Sequence, residues 1–452
     1  MTSVPAQSPC IWIELRRLPR LLTVCAVLLA GLFLPGAGRA QDFGTSRKLE
    51  TSAVLELADT TTRAWPGDLG YGHDGDDTAA TDSLSLRLRA AWRPTGWLSA
   101  EVDYLNARDE LSPLATTDAL RGAARFRRQT LRWDIETPDT DRDNPTTTQT
   151  VDWYHELDRA LLRLEHGPWR ATVGRQPITW GVGRFWQPLD VFVAFSPTAV
   201  QRDFKPGIDA VLLETFPSAF SSVSLAGVAS PRDAEDPLTG EALEDSMVLH
   251  HRGGLGVESA YALLAGRVQG EPMLGGALET IRWDAGWRLE FLTYEPAHPR
   301  TDSAAEARAW FAVAGVDNRF AMGLTLAAEW YHHSQGAERA ADLSAVALSD
   351  GVLRGRVPQL SRDVLAVAFD ADDWGLWHGS YALFLSAVPD DDGTREPSSL
   401  HQATLRYSIS DNAVALFSLI IGTGRGLDEF GRLQSEFGAF PDTLLVNLQV
   451  YL

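Results

Sequence analysis

The chain has 452 residues, 60 acidic against 40 basic, a net charge of −20 and two cysteines. That acidic balance argues against a nucleic-acid partner and against a basic protein of the membrane surface. The length would suffice for about two or three soluble domains. Yet no Pro/Ser-rich linker divides the chain, and beyond residue 40 no apolar run approaches the roughly twenty residues of a spanning helix.

At the start, Arg16, Arg17 and Arg20 form a basic region, Leu21 to Leu34 an apolar run, and Gly38-Arg39-Ala40 a small-residue cleavage signal. This layout predicts a removable signal peptide over 1–40 and a mature chain over 41–452. The apolar run, about fourteen residues, is too short to span a bilayer as a helix. Cys25 follows Thr23 and Val24 and so lacks the small residue of a lipoprotein signal. Cys10 and Cys25 both leave with the leader, which excludes disulfides and thiolate metal sites from the mature chain. Losing the leader's four arginines and one glutamate leaves 36 basic against 59 acidic residues, a net charge of −23. Almost all the cations are Arg, with Lys only at Lys48 and Lys205.

From residue 49 the chain alternates. Leu84, Leu86, Leu88, Ala90 and Trp92 interleave with Ser85, Arg87, Arg89 and Arg93. A turn at Pro94-Thr95-Gly96 leads back through Leu98, Ala100, Val102 and Tyr104, set against Ser99, Glu101 and Asp103. Period two places all the grease on one face and all the charge on the other. Charge at every second residue excludes a dry sandwich core on that face, and the greasy face excludes a fully solvated strand.

The unit recurs as 159–165 with 169–176, 207–216 with 221–230 across Pro217, and 247–257 with 260–270 near Ser259. It continues as 277–284 with 286–295, 309–316 with 320–333, 362–370 with 374–388, and 399–409 with 412–422. Turns are expected at His166-Gly167-Pro168, Ala285, Asp317-Asn318, Asp372-Asp373 and Ser410-Asp411. The chain ends on 442–452, where Leu444, Val446, Leu448, Val450 and Leu452 alternate with Leu445, Asn447, Gln449 and Tyr451. A secreted chain that closes on such a strand points to a transmembrane antiparallel β-barrel of an outer membrane.

Barrels of this kind keep short turns at one end and long loops at the other. Taking 49–60 as the first strand gives nine hairpins and eighteen strands, with eight short turns all at one end; sixteen strands is the alternative. The segment 129–137 looks like a strand but breaks that parity, so it belongs to a large outer loop over 109–157. A sandwich, solenoid or propeller fits less well, because the strands run about ten residues against a globular mode of about five to six. Trp92, Trp97, Trp169, Trp287, Trp330, Tyr331, Trp374 and Trp377 also fall near strand ends, where interfacial girdles belong.

The segment 177–206 joins the fifth and sixth strands of this count and is rich in Trp, Phe and Gly. An aromatic loop is costly in water, which predicts that it folds back onto the barrel wall. Folded inward, it would bring Arg175, Arg184, Asp190, Arg202, Asp203 and Lys205 to a constriction, where rings of charge set solute preference. The other reading is a packed plug whose Arg–Asp pairs only satisfy each other. The parity of Ala171 and Val173 aims Arg175 at lipid unless the strand bulges.

The run GRQPITWG, followed by FWQPLD, FSP and a K-P-G-I-D-A strand, resembles a family of uncharacterised, porin-like Gram-negative outer-membrane β-barrels. Val316-Asp317-Asn318-Arg319 through Glu329-Trp330-Tyr331-His332-His333 is similar to a later strand pair of those proteins, as is Glu436-Phe437-Gly438 with the final strand. The resemblance covers most of 155–452 and implies fold and location, but no catalytic residue or substrate.

Signatures of an enzyme are absent: no Gly-x-Ser-x-Gly elbow, no His-Glu-x-x-His and no phosphate-binding glycine loop. No catalytic residue, cofactor or metal site is expected. His250-His251 and His332-His333 read as interfacial pairs. Asp139, Asp141 and Asp143 start like a calcium loop but lack its glycine and its closing glutamate. Asp74, Asp76 and Asp77, and Asp390-Asp391-Asp392, read as solvated acidic tips.

Parity sends Arg87, Arg89, Arg93, Glu101, Asp103, Arg163, Glu165, Arg288, Glu290, Glu329 and Arg406 to the polar face. A lumen lined with both signs must hold water, because each isolated charge in a dry interior costs several kcal/mol. The expected function is a channel for passive diffusion of small hydrophilic solutes. The alternatives are a surface-assembly or export barrel that binds polysaccharide, and a barrel-embedded hydrolase. Expected partners are outer-membrane lipid and lipopolysaccharide, the barrel-assembly machinery and the solutes themselves. A monomer is expected, with a trimer as the alternative.

Overall fold

A computed structural model describes residues 48–69, 71, 78–111, 125–127, 132–135, 150–231, 235–236, 239–298, 308–390 and 393–452. The expected leader with its cysteines lies outside the described residues, as do Asp74, Asp76 and Asp77, the run Asp139, Asp141 and Asp143, and Asp391 and Asp392.

The alternating segments form strands β1 Lys48–Arg63, β2 Thr78–Arg93, β3 Leu98–Leu111, a short β4 Arg132–Ile135, β5 Thr150–His166 and β6 Trp169–Gln176. Beyond the inserted segment come β7 Ile208–Ser218, β8 Ser221–Val228, β9 Ser246–Gly254, β10 Ser259–Val268, β11 Glu271–Arg282, β12 Ala285–Tyr294 and β13 Ala309–Arg319. The chain finishes with β14 Leu324–His333, β15 Asp363–Trp374, β16 Trp377–Ser386, β17 Ser398–Ser410, β18 Ala413–Thr423 and β19 Asp442–Tyr451.

Each strand pairs antiparallel with its neighbour in sequence, except that β3 pairs with β5 while β4 adds only to the outer part of β5. The last strand returns to the first, with Val54 opposite Tyr451 and Arg63 opposite Asp442. The result is a closed antiparallel barrel of 18 strands, nearly all-β. Closure removes the sheet edges that would otherwise leave backbone groups unpaired. Within the segment 129–137, expected as part of a loop over 109–157, the described residues Arg132–Ile135 form a strand against β5 rather than loop, and β3 to Leu111 and β5 from Thr150 run into the span expected as loop.

Several turns differ from expectation. Reversal at Asp317-Asn318 does not occur, because both residues continue β13, where Asp317 pairs with Arg288 at 2.5 Å. The turn falls instead at Ala321–Gly323, where Met322 adopts positive φ. The turn expected at Ala285 falls at Trp283-Asp284, both at positive φ, and the one expected at Asp372-Asp373 falls after Trp374, at Gly375. β7 runs past Pro217 by means of a register shift between Thr215 and Ser218, a bulge that tolerates proline. β11 begins earlier than expected because Gln269 and Gly270, both at positive φ, close a tight turn against β10.

The outer face is apolar and exposed, including Leu84, Leu88, Val102, Leu162, Val173, Val211, Leu249, Leu289, Phe291, Leu365, Phe369 and Phe417. At the short-turn end it carries Trp92, Trp97, Trp169, Trp287, Trp374 and Trp377, and towards the long-loop end Trp310 and Trp330, all exposed. Tyr331 departs from the expected girdle, because its parity places it inside, fully buried.

The core of the molecule lies inside the barrel. Ile178, Phe185, Trp186, Leu189, Val191, Phe192 and Val193 of the inserted segment form one apolar cluster with Ile208, Val248, Leu264, Val313, Tyr331, Val364, Phe384 and Leu400 of the wall. The long-loop ends are also tied together. Leu427 N donates to Gly67 O (2.6 Å), Leu69 N to Ala439 O (2.9 Å), and Leu360 N and Ser361 N to the Glu436 carboxylate (3.0 and 2.5 Å). Two short helices, α1 Leu343–Ala347 and α2 Asp350–Leu353, fill the β14–β15 connection.

Candidate functional site

The segment 177–206 leaves β6 at Gln176, whose amide donates to the carbonyls of Thr172 (3.1 Å) and Ala210 (3.2 Å). It contains no strand or helix, so its backbone donors need partners elsewhere. Two wall carboxylates supply them. Glu290 on β12 accepts from the amides of Val182 (2.7 Å), Gly183 (3.3 Å) and Leu189 (3.3 Å). Glu329 on β14 accepts from Arg184 (2.7 Å), Phe185 (2.9 Å) and Trp186 (2.9 Å). Successive N–H groups converging on one anion make a nest around it. Gly183 permits the tight loop, since a Cβ there would stand 1.9 Å from Trp186 O. Glu290 and Glu329, read from parity as lining charges, are therefore buried anchors of this segment.

Aromatic contacts add to the anchorage. Trp186 lies 5.2 Å from Tyr331 and 5.8 Å from Phe384, and Phe185 lies 5.1 Å from Phe384. Burying side chains of this size contributes about 1.5–3 kcal/mol each, so the cost of an aromatic loop in water is met by placing it against the wall. From the β14–β15 connection, Arg356 reaches in to bond Val191 O (2.7 Å) and the Glu271 carboxylate (2.9 Å).

The segment's own charges divide into two groups. Lys205 is buried in an ion pair with Asp190 and also donates to Ile178 O (2.6 Å). Arg202 donates to the carbonyls of Arg184 (2.6 Å), Pro197 (2.8 Å) and Ser196 (3.3 Å). These three side chains hold the fold of the segment. Arg184, paired with Asp370 of β15, and Asp203, 4.0 Å from Arg406 of β17, are partly exposed and face the remaining lumen. Arg175 lies apart from both groups. It keeps its place opposite Asp209, whose carboxylate it meets at 2.9 Å, and donates to Leu157 O (3.0 Å), so it is spent on the wall.

Across the lumen stands a ladder of alternating charge. Arg89 meets Glu101 (2.5 Å), Arg87 meets Asp103 (3.3 Å) and Asp158 (2.7 Å), and Arg159 meets Glu101 (3.3 Å). Arg127 continues it to Asp158 (3.2 Å) and Glu156 (3.1 Å). A bulge on β5 opposite Asp103 and Tyr104 skips Asp158 in the register, which allows Asp158 and Arg159 to enter the ladder together. Arg87 also lies over the Phe204 ring, 4.4 Å from its centroid, linking ladder and inserted segment. Arg163 sits lower on β5, its Nε 3.5 Å from Thr172 Oγ1.

Adjacent histidines on a strand point to opposite faces. His250 stacks on Trp180 inside while His251 meets Tyr261, and His333 bonds Tyr294 while His332 bonds Asp363. Among the described residues Asp236, His298 and Asp350 have ligand atoms within 4.8 Å of one another. Arg354 already lies against both carboxylates, so the group reads as an ion network that ties the loops. Sequence reasoning missed this network and the Glu436 anchor, whose partners are far apart in the chain.

No protein-family model matches the chain, and no curated protein matches it. Among solved structures it is similar to Pseudomonas aeruginosa OccK11 (OpdR), at 11% identity and TM-score 0.54 over 89% of this chain and 96% of that one. It is also similar to P. aeruginosa OccK9 (OpdG), at 10% identity and TM-score 0.55 over 90% and 98%. A third is the P. aeruginosa outer membrane protein OpdK, at 8% identity and TM-score 0.51 over 89% and 99%. At such identities the likeness is one of fold, and the fold is the closed 18-strand antiparallel barrel.

Proposed function

We propose that the chain is a porin-like, non-enzymatic channel of a bacterial outer membrane, delivered by a signal peptide over 1–40, through which small hydrophilic solutes diffuse. The observation that carries this reading is the wall: 18 strands closed on themselves, apolar outside, around a lumen narrowed by one clamped segment. Barrels of this width leave an aqueous channel where smaller ones are filled by side chains. The likeness to the outer membrane protein OpdK supports the location.

In this reading the constriction lies between 177–206 and the wall of β2, β3, β5 and β17. Arg184, Asp203 and Arg406, with the ladder of Arg87, Arg89, Glu101 and Asp103, set its field, while Asp190, Arg202 and Lys205 keep the segment folded. Arg163 and Glu165 line the vestibule below. Lipid and lipopolysaccharide contact the outer face, the barrel-assembly machinery inserts it, and a single barrel conducts as a monomer.

Purified protein in planar bilayers tests the channel, and deletion of 178–188 tests the constriction. The intact chain should show stepwise conductance, and the deletion should enlarge the step and change cation–anion preference. Silence of the intact protein would overturn the channel; an unchanged step in the deletion would overturn the constriction.

A further inference from the structure

We propose that the lumen holds a solute-binding subsite directly beneath 177–206, on the short-turn side of the constriction, shaped for a small neutral polyhydroxylated solute of monosaccharide size. The proposal deepens the channel reading above and rests on it. A cavity of about 220 Å³ lies against the inner faces of β7 to β11, under Thr179–Val182 of the inserted segment. It is smaller than the roughly 300–1,000 Å³ of pockets for drug-sized molecules.

Register builds this cavity. Glu214 is paired with Ser224 and Ser224 with His250; Ser222 is paired with Arg252 and Ala260 with Glu279. All of them therefore share the luminal face. Ala260, Ala262 and Ala277 leave the space, since each is small where a larger inward residue would fill it. The floor is thus polar and the roof is Trp180.

Its chemistry disfavours anions. Arg252 and Glu279 pair at 3.0 Å, and Glu214 is reached by Ser224 Oγ at 3.5 Å and, at 3.7 Å, by Arg170, which meets Glu165 more closely at 2.7 Å. An anionic solute would have to break one of these pairs, whereas hydroxyl groups can use the donors and acceptors as they stand. One group also points to a ligand. His250 is buried, its ring stacked on Trp180 with centroids 4.8 Å apart and planes within 5°. Its Nε2 has no hydrogen-bond partner among the described residues. A buried polar atom left this way costs about 1–3 kcal/mol; it is closed to a water-sized group as the ring lies, and a turn of the imidazole that opens it to the cavity would let a solute hydroxyl complete it. A ring with apolar faces and a hydroxyl rim fits an aromatic roof over a polar floor.

The test uses the full chain in detergent micelles, titrated with D-glucose and, separately, with gluconate of the same size, binding being read by saturation-transfer NMR. Glucose should bind saturably and gluconate about tenfold more weakly or worse. Ala262→Phe, which fills the cavity, should weaken glucose binding by about tenfold or more, and His250→Leu should do so while His250→Gln retains part of it. Heat-modifiable gel migration reports whether each variant is a folded barrel; if Ala262→Phe fails to fold, the two His250 variants decide. Non-saturable glucose binding, equal binding of gluconate, or unchanged binding in the folded variants would overturn the subsite. Conductance is measured apart: a conducting barrel without saturable glucose binding refutes the subsite alone, and a silent barrel that binds glucose refutes the channel while the subsite stands.

Discussion

Glu329 shows how a charge on a polar strand face can serve the backbone of another segment. Its two oxygens accept from three consecutive amides of the inserted segment. Glu329→Ala leaves those amides buried without an acceptor, at about 1–3 kcal/mol for each group stranded. The expected outcome is a loosened 177–206, seen as larger and noisier single-channel currents and faster proteolytic cleavage within it; Glu329→Gln, which keeps one acceptor oxygen, should fall between. Lys205 makes a different kind of contribution. Lys205→Met strands Asp190 in a buried position, a loss of about 3–5 kcal/mol. The double change with Asp190→Leu should recover most of that loss, because no charge is then left alone. The temperature at which folded gel migration disappears measures both.

The strands were legible in the sequence because period two survives without any knowledge of partners. Leu84 to Trp92 and Leu444 to Val450 declare their faces residue by residue, and the barrel adds only which strands meet. The turns were less legible, for a definable reason. Trp283-Asp284 reverses the chain through two positive-φ residues that carry no Gly or Pro signal, while Asp317-Asn318 carries a turn signal and stays extended. The anchors of the inserted segment were illegible, since Glu290 and Glu329 lie more than a hundred residues from the amides they accept. The β5–β6 hairpin offers a test at this scale. Gly174 sits at φ +115°, and a Cβ there would approach Ala160 O to 2.2 Å. Gly174→Ala therefore forces a shift in the pairing that seats Arg175 against Asp209 and Leu157, at about 1–3 kcal/mol for the backbone strain. A lower unfolding temperature is expected, with conductance per open channel little changed, because Arg175 faces no solute.

At the scale of the whole barrel, the lumen is divided lengthwise as well as across. The β7–β16 side of the long-loop half is filled by the apolar cluster around Trp186 and Leu189, while β2, β3 and β5 present the charge ladder. In the proposed channel, water and ions would use the strip between them, and the greasy residues of the opposite parity stay outside. That division of faces predicts opposite costs for the same substitution. Leu289, mid-way along β12 and 53% exposed, faces outward, whereas Thr404, mid-way along β17, faces inward with its hydroxyl 3.0 Å from Ser418. Leu289→Arg places a guanidinium at the bilayer midplane and should cost about 2–4 kcal/mol of folding free energy in lipid vesicles. Thr404→Arg at similar depth loses one hydroxyl contact and stands beside water, so its cost should stay within about 1.5 kcal/mol. Reversible urea unfolding in vesicles measures both, and equal costs would mean that the greasy face does not meet lipid.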